Sequence, residues 1–119
     1  MGKFIFTAKT VHFSKEDYYM VGFADDEYEY QNYIVMQRPF EFDEQDIAQE
    51  IDGEYIEING ESGYKICKKA VLENGLFSME YENENTSNTV EILLGEINMD
   101  SVWVDYLRGI LGKKLTVIM

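Results

Sequence analysis

The sequence predicts an α+β fold, a mostly antiparallel sheet of about six to seven strands with a C-terminal amphipathic helix packed on one face. Two observations carry this. The stretch Gly53 to Tyr81 holds two Asn-Gly dipeptides, each between short alternating apolar runs. Asn-Gly is the strongest short hairpin signal, because both residues accept the positive φ that a tight turn requires. Farther on, Trp103, Tyr106, Leu107, Ile110 and Leu111 recur at helical spacing. With 119 residues, 45% of them apolar, the chain is read as a single domain, 1–119, with one core.

Lys3 to Phe13 alternates, with Phe4, Phe6 and Ala8 on one side, and reads as the first strand. Tyr18 to Ala24, aromatic and β-branched, is the second, and Gly22 within it marks a bulge or a close backbone approach. Asn32 to Gln37 is its hairpin partner, ended by Pro39, which has no N–H for a ladder. Between them Asp25 to Tyr30, DDEYEY, carries four carboxylates whose mutual repulsion assigns it to a water-facing loop or strand end. Asp43 to Ile51 reads as a short helix, with Ile47 and Ile51 as a thin apolar stripe, or as an irregular acidic segment.

The meander can be paired residue by residue. A tight turn at Asn74-Gly75 sets Leu72 against Phe77, Ala70 against Met79 and Lys68 against Tyr81, with Lys69 opposite Glu80 on the outer face. Ile66, Ala70, Leu72, Phe77, Met79 and Tyr81 then share the core face, and Cys67 falls on the other, where two lysines beside it would lower its pKa somewhat. At Asn59-Gly60 a two-residue turn would oppose Ile56 and Gly63. A five-residue loop from Asn59 to Gly63 pairs Ile56 with Ile66 instead and is preferred, so that the strands around both turns bury one surface together. Asn83 to Asn88 reads as a polar loop, and Thr89 to Leu94 as a strand with Val90, Ile92 and Leu94 on one side. Asp100 or Ser101 caps the helix, Gly112 with Lys113 and Lys114 ends it, and Leu115 to Met119 is a last strand or a frayed tail.

The net charge is −13, and fifteen of the 23 acids lie between Glu16 and Glu61, against the single base Arg38. Such a field repels nucleic acid and anionic membranes and draws basic partners, although acidity also serves solubility alone. Cys67 and His12 are the only residues of their kinds, which excludes an intramolecular disulfide and a His/Cys zinc cluster. Neither a secretion signal nor a membrane-length apolar run is evident, so the cytoplasm is the expected location.

No catalytic residue, metal or cofactor is expected. His12 sits in an alternating strand without a glycine-framed nucleophile, no phosphate-cradling glycine loop occurs, and carboxylate pairs arise by chance among so many acids. An interaction surface remains: Asp25, Asp26, Glu27, Tyr28, Glu29 and Tyr30, joined by Glu41, Asp43, Glu44 and Asp46. Charge would steer a partner, and Tyr28 and Tyr30 would act as rigid anchors or else pack at a strand end. Two other readings are a small acidic secretion chaperone of the type III kind and a carboxylate or metal-dependent enzyme built on Asp43, Asp46 and Glu50.

YYMVGFADD at Tyr18 to Asp26, NYIVMQR at Asn32 to Arg38, and GEYIEINGESGYKI at Gly53 to Ile66 followed by VLENGLFSM resemble the immunity proteins of bacterial polymorphic toxin systems, specifically immunity protein family ten. The resemblance spans roughly Tyr18 to Leu111, and it departs after Tyr64, where Lys-Ile-Cys stands in place of a second small residue. It implies a cytosolic, non-enzymatic protein that binds and neutralises a cognate toxin domain. Such toxins are often nucleases or deaminases, whose basic clefts an acidic protein can occupy. Under that reading the ten residues above would contact the toxin.

Overall fold

A computed structural model describes residues 2–29, 31–49, 53–95, 97 and 100–118. The fold is α+β and mostly antiparallel, with the C-terminal helix packed against the strands, as the sequence predicts. Among the described residues the strands number ten, and they form two sheets of five.

The first sheet takes β1 (Gly2–Thr7), β9 (Thr86–Leu93), β8 (Leu76–Asn83), β7 (Cys67–Glu73) and β10 (Leu115–Ile118), in that order. The second takes β2 (Thr10–Ser14), β3 (Tyr18–Ala24), β4 (Tyr33–Pro39), β5 (Tyr55–Ile58) and β6 (Glu61–Tyr64), in sequence. Among the described strands the pairs β1 with β9 and β10 with β7 run parallel and the other pairs antiparallel. The remaining elements are α1 (Glu44–Ala48), α2 (Ser101–Leu111) and a 3-10 turn, Gly112–Lys114.

The two sheets meet because alternation gives each one apolar face. Val21, Phe23, Ile34, Met36, Ile56 and Ile58 come from the second sheet, and Leu72, Phe77, Met79, Val90 and Ile92 from the first; all are buried. Phe23 bridges the layers, its ring 5.6 Å from Phe77 and 5.9 Å from Trp103 of α2. Asp100 caps α2 by accepting from the Val102 N–H at 2.6 Å, and the helix buries Trp103, Leu107, Ile110 and Leu111. Gly112, at φ 58°, turns the chain out of the helix.

Several sequence expectations are corrected. The first strand is two: the chain crosses between sheets at Ala8, whose N–H donates to Leu93, and Lys9, whose N–H donates to Ala24. The first Asn-Gly turn is tight, with Ile58 opposite Glu61 and Ile56 opposite Gly63, not a five-residue loop. Asn59 takes φ 49°, and its side-chain oxygen accepts from the Tyr33 N–H at 2.8 Å, so the turn is tied to β4. The Ile56–Gly63 pairing wastes no apolar contact, because Ile66 occupies the space: a Cβ on Gly63 would lie 2.8 Å from its Cγ2. The strands around the two Asn-Gly turns therefore belong to opposite sheets rather than to one, with Lys65, at φ 57°, at the crossing.

In the second hairpin Leu72, Ala70 and Lys69 face Phe77, Met79 and Glu80 as expected, but Cys67, not Lys68, faces Tyr81. A bulge between Cys67 and Lys69 inserts one residue and reverses the alternation, which puts Cys67 in the core at 2% exposure. The expected loop at Asn83 to Asn88 is instead a two-residue turn, Glu84 and Asn85 at φ 51° and 66°, with Asn83 paired to Thr86. Among its described residues the acidic segment is helical over Glu44–Ala48, and its stripe residue Ile47 is 56% exposed; Glu50 and Ile51 lie outside the described residues.

Candidate functional site

The inner face of the second sheet lies against the core and α2, and its outer face is open. Strand register puts Thr10, Ala24 and Tyr33 in one cross-strand row, His12, Gly22, Val35 and Glu57 in the next, and Ser14, Met20, Gln37, Tyr55 and Tyr64 in a third. These residues alternate with the buried Val21, Phe23, Ile34, Met36 and Ile56, which is why they point outward.

Glu57 lies at the centre of this face. Its carboxylate accepts from the Tyr33 hydroxyl at 2.5 Å and from the Tyr55 hydroxyl at 3.0 Å, and the Tyr55 ring sits 5.3 Å from that of Tyr64. Gly22, with no side chain, leaves a depression of about 330 Å³ between His12, Met20, Val35 and Glu57, and Asp26 and Glu27 overhang its edge. Toward the other end, a second groove of about 620 Å³ is lined by Tyr18, Gln37, Tyr55 and Tyr64, with Asp46 of α1 at its border.

The acidic loop between β3 and β4 is built by its own first two acids. Asp25 accepts from the N–H groups of Gln31 and Asn32 and from the Asn32 side-chain amide, at 2.9–3.1 Å. Partial desolvation pushes its carboxyl up, but the Asn32 amide and the two N–H groups outweigh that and hold the pKa below the ordinary 3.8. Asp26 accepts from the N–H of Tyr28 and of Glu29, each at 2.9 Å, with Glu29 the larger cause of a lowered pKa. Glu27 and Glu29 are exposed and make none of these side-chain bonds. Tyr28 is 84% exposed and so is not packed at the strand end.

On the second segment Asp43 caps α1 by accepting from the Asp46 N–H at 2.8 Å, while the Asp46 side chain accepts from the Asp43 N–H at 3.1 Å. This reciprocal capping box satisfies two helix-end donors. Glu41 and Glu44 are exposed, and Tyr30 lies outside the described residues. The structure thus brings Asp26, Glu27 and Asp46 onto the rims of one face, and Asp25, Asp26, Asp43 and Asp46 each accept a backbone N–H that holds their own segment.

Sequence reasoning missed Tyr18, Met20, Tyr33, Val35, Tyr55, Glu57 and Tyr64 as site residues. The available signal was apolar and aromatic character on both sides of β3 to β5, more than a strand with one solvated face requires. Among the described residues no three His, Cys, Asp or Glu side chains are grouped to hold a metal ion, and no helix is long and apolar enough to cross a membrane.

Residues 7–104, more than half of the chain, match the family described as Immunity protein 10. The chain belongs to that family. No curated protein matches it. The Immunity protein 10 match runs from the end of β1 into α2, so it takes in the whole second sheet, both acidic segments and the β7 to β9 meander. Lys114 and β10 lie beyond it.

Proposed function

We propose that this immunity protein binds a cognate toxin domain in the cytoplasm and neutralises it without catalysis, by laying the acidic, tyrosine-bearing face of the second sheet into a basic cleft. Family membership supports toxin neutralisation in general terms. The observation that carries the finer reading is the placement of the two acidic segments at opposite ends of one open aromatic face. Charge at the rims would steer association, and Tyr18, Tyr55 and Tyr64 would supply rigid contact area between them. A nuclease or deaminase, whose cleft is basic because its substrate is a polyanion, is the toxin class that fits best.

Glu27→Lys with Glu29→Lys is the informative variant, because neither side chain holds the loop together. Association with the toxin-like domain encoded in the adjoining reading frame would be followed at low and high salt. Slower association and a shallower salt dependence are expected; an unchanged affinity with an unchanged salt dependence would sink the occlusion mechanism.

A further inference from the structure

We infer that the depression over Gly22 is a receptor for one arginine side chain of the toxin, an assignment that rests on the neutralisation reading above. The depression combines a floor of Met20, Ala24 and Val35 with carboxylates at Glu57, Asp26 and Glu27. Among the described residues no lysine or arginine lines it. Among the described residues Glu57 pairs with no cation; its partners are two neutral hydroxyls. The negative charge is therefore held in place and uncompensated.

The geometry selects a guanidinium. Each Glu57 oxygen takes one tyrosine hydroxyl, and each keeps a lone pair, so the carboxylate can still accept two parallel N–H donors. The Tyr33 and Tyr55 hydroxyls fix the carboxylate before any partner arrives, which lowers the ordering cost of the bidentate pair. An arginine delivers its charge on a flat two-pronged group that matches the two carboxylate oxygens, and on a methylene stem suited to the apolar floor. A lysine ammonium, strongly hydrated and unable to form the two-pronged pair, uses less of the site.

Gly22 provides the decisive variant. A Cβ there would lie 3.6 Å from the Ile34 carbonyl oxygen and 3.8 Å from Val35 Cγ2, ordinary contacts, so Gly22→Leu fills the depression while leaving the strand unstrained. Glu57→Gln keeps the shape and removes the charge. Backbone amide shifts of isotopically labelled protein would be followed on adding N-acetyl-arginine methylamide, with the uncharged citrulline analogue as the control. Saturable shifts at Gly22, Val35 and Glu57 are expected, weaker by about tenfold or more for citrulline and for Glu57→Gln, and lost in Gly22→Leu. No saturable shift, an equal response to citrulline, or an unaffected Gly22→Leu overturns the receptor.

With the toxin domain itself, Gly22→Leu and Glu57→Gln should each weaken binding, and Glu80→Gln on the other sheet should not. Tight binding by both depression variants overturns the receptor and leaves neutralisation standing. Failure of the unaltered protein to bind any such domain removes the neutralisation reading, and with it the assignment of the arginine to a toxin.

Discussion

The Lys114 ammonium lies 2.5 Å from Oε1 of Glu54, which is 2% exposed and the one buried charged residue among those described. This pair joins the start of β5 in the second sheet to the turn that leads from α2 into β10 of the first. A carboxylate so enclosed is tolerable only with its partner, so Lys114→Met should destabilise the fold. A loss of about 3 kcal/mol is expected, the low end for breaking a buried pair because the Lys114 side chain is itself 35% exposed. Urea unfolding would measure it. The double variant Glu54→Gln with Lys114→Met should be more stable than Lys114→Met alone, because no unpaired charge remains.

Burial, then the nearby Glu54, push the Cys67 thiol from its ordinary 9.0 to about 12, against a smaller opposing effect of Lys114. The lysines adjacent in sequence do not activate it. The native protein should resist thiol reagents at mildly alkaline pH, with modification following global unfolding. Because the folded pKa is raised, the unfolded chain releases the proton first, and this contribution to stability is complete below pH 9.0 and lost as pH rises toward about 12. Tyr81, also raised by burial, adds to the decline at its alkaline end. Cys67→Ala should flatten the lower part of the stability profile measured by denaturant unfolding.

Asp25 organises the acidic loop through Gln31 and Asn32, and Asn32 in turn accepts from the Asn59 side-chain amide at 3.1 Å. Asp25→Ala should raise amide hydrogen exchange at Gln31 and Asn32 with little change in the core strands. Glu29→Lys should leave those amides protected. The lowered pKa makes the support of Asp25 complete above its ordinary value of 3.8, and it is lost as pH falls through the lower folded value.

Gly109 lies under the Tyr19 ring, and a Cβ there would approach Tyr19 carbons to 2.8 Å. Tyr19 has little room to withdraw, with Phe40 at 5.0 Å and Tyr106 at 6.0 Å. Replacing glycine by alanine in a helix normally stabilises by about 1 kcal/mol, yet overpacking costs about 1 to 3. Gly109→Ala should therefore fail to stabilise, and thermal unfolding should show the same variant stabilising once Tyr19 is cut to alanine.

Much of the strand pattern was legible because alternation is a local property. Val90, Ile92 and Leu94 were assigned to one side and are all buried, and the Lys69–Glu80 pairing falls where the hairpin arithmetic puts it. That ion pair, at 3.7 Å with both side chains more than half exposed, contributes less than about 1 kcal/mol. The bulge at Cys67 was not legible, since no residue type announces an inserted position within an otherwise regular strand. Nor was the receptor face. Tyr33, Tyr55 and Glu57 are remote or alternate in sequence and become one hydrogen-bonded group only through the β4–β5 register.

By itself the sequence determined the fold class, the capped C-terminal helix and the family, because period, cap residues and turn dipeptides act over a few neighbouring positions. The tertiary structure alone decided that the strands divide into two sheets, that the preferred five-residue loop gives way to a tight Asn59-Gly60 turn, and which acids serve the fold instead of the surface. Those outcomes depend on what packs across a gap, as Ile66 does over Gly63, and a contact between residues on opposite sheets leaves no periodic mark in the chain.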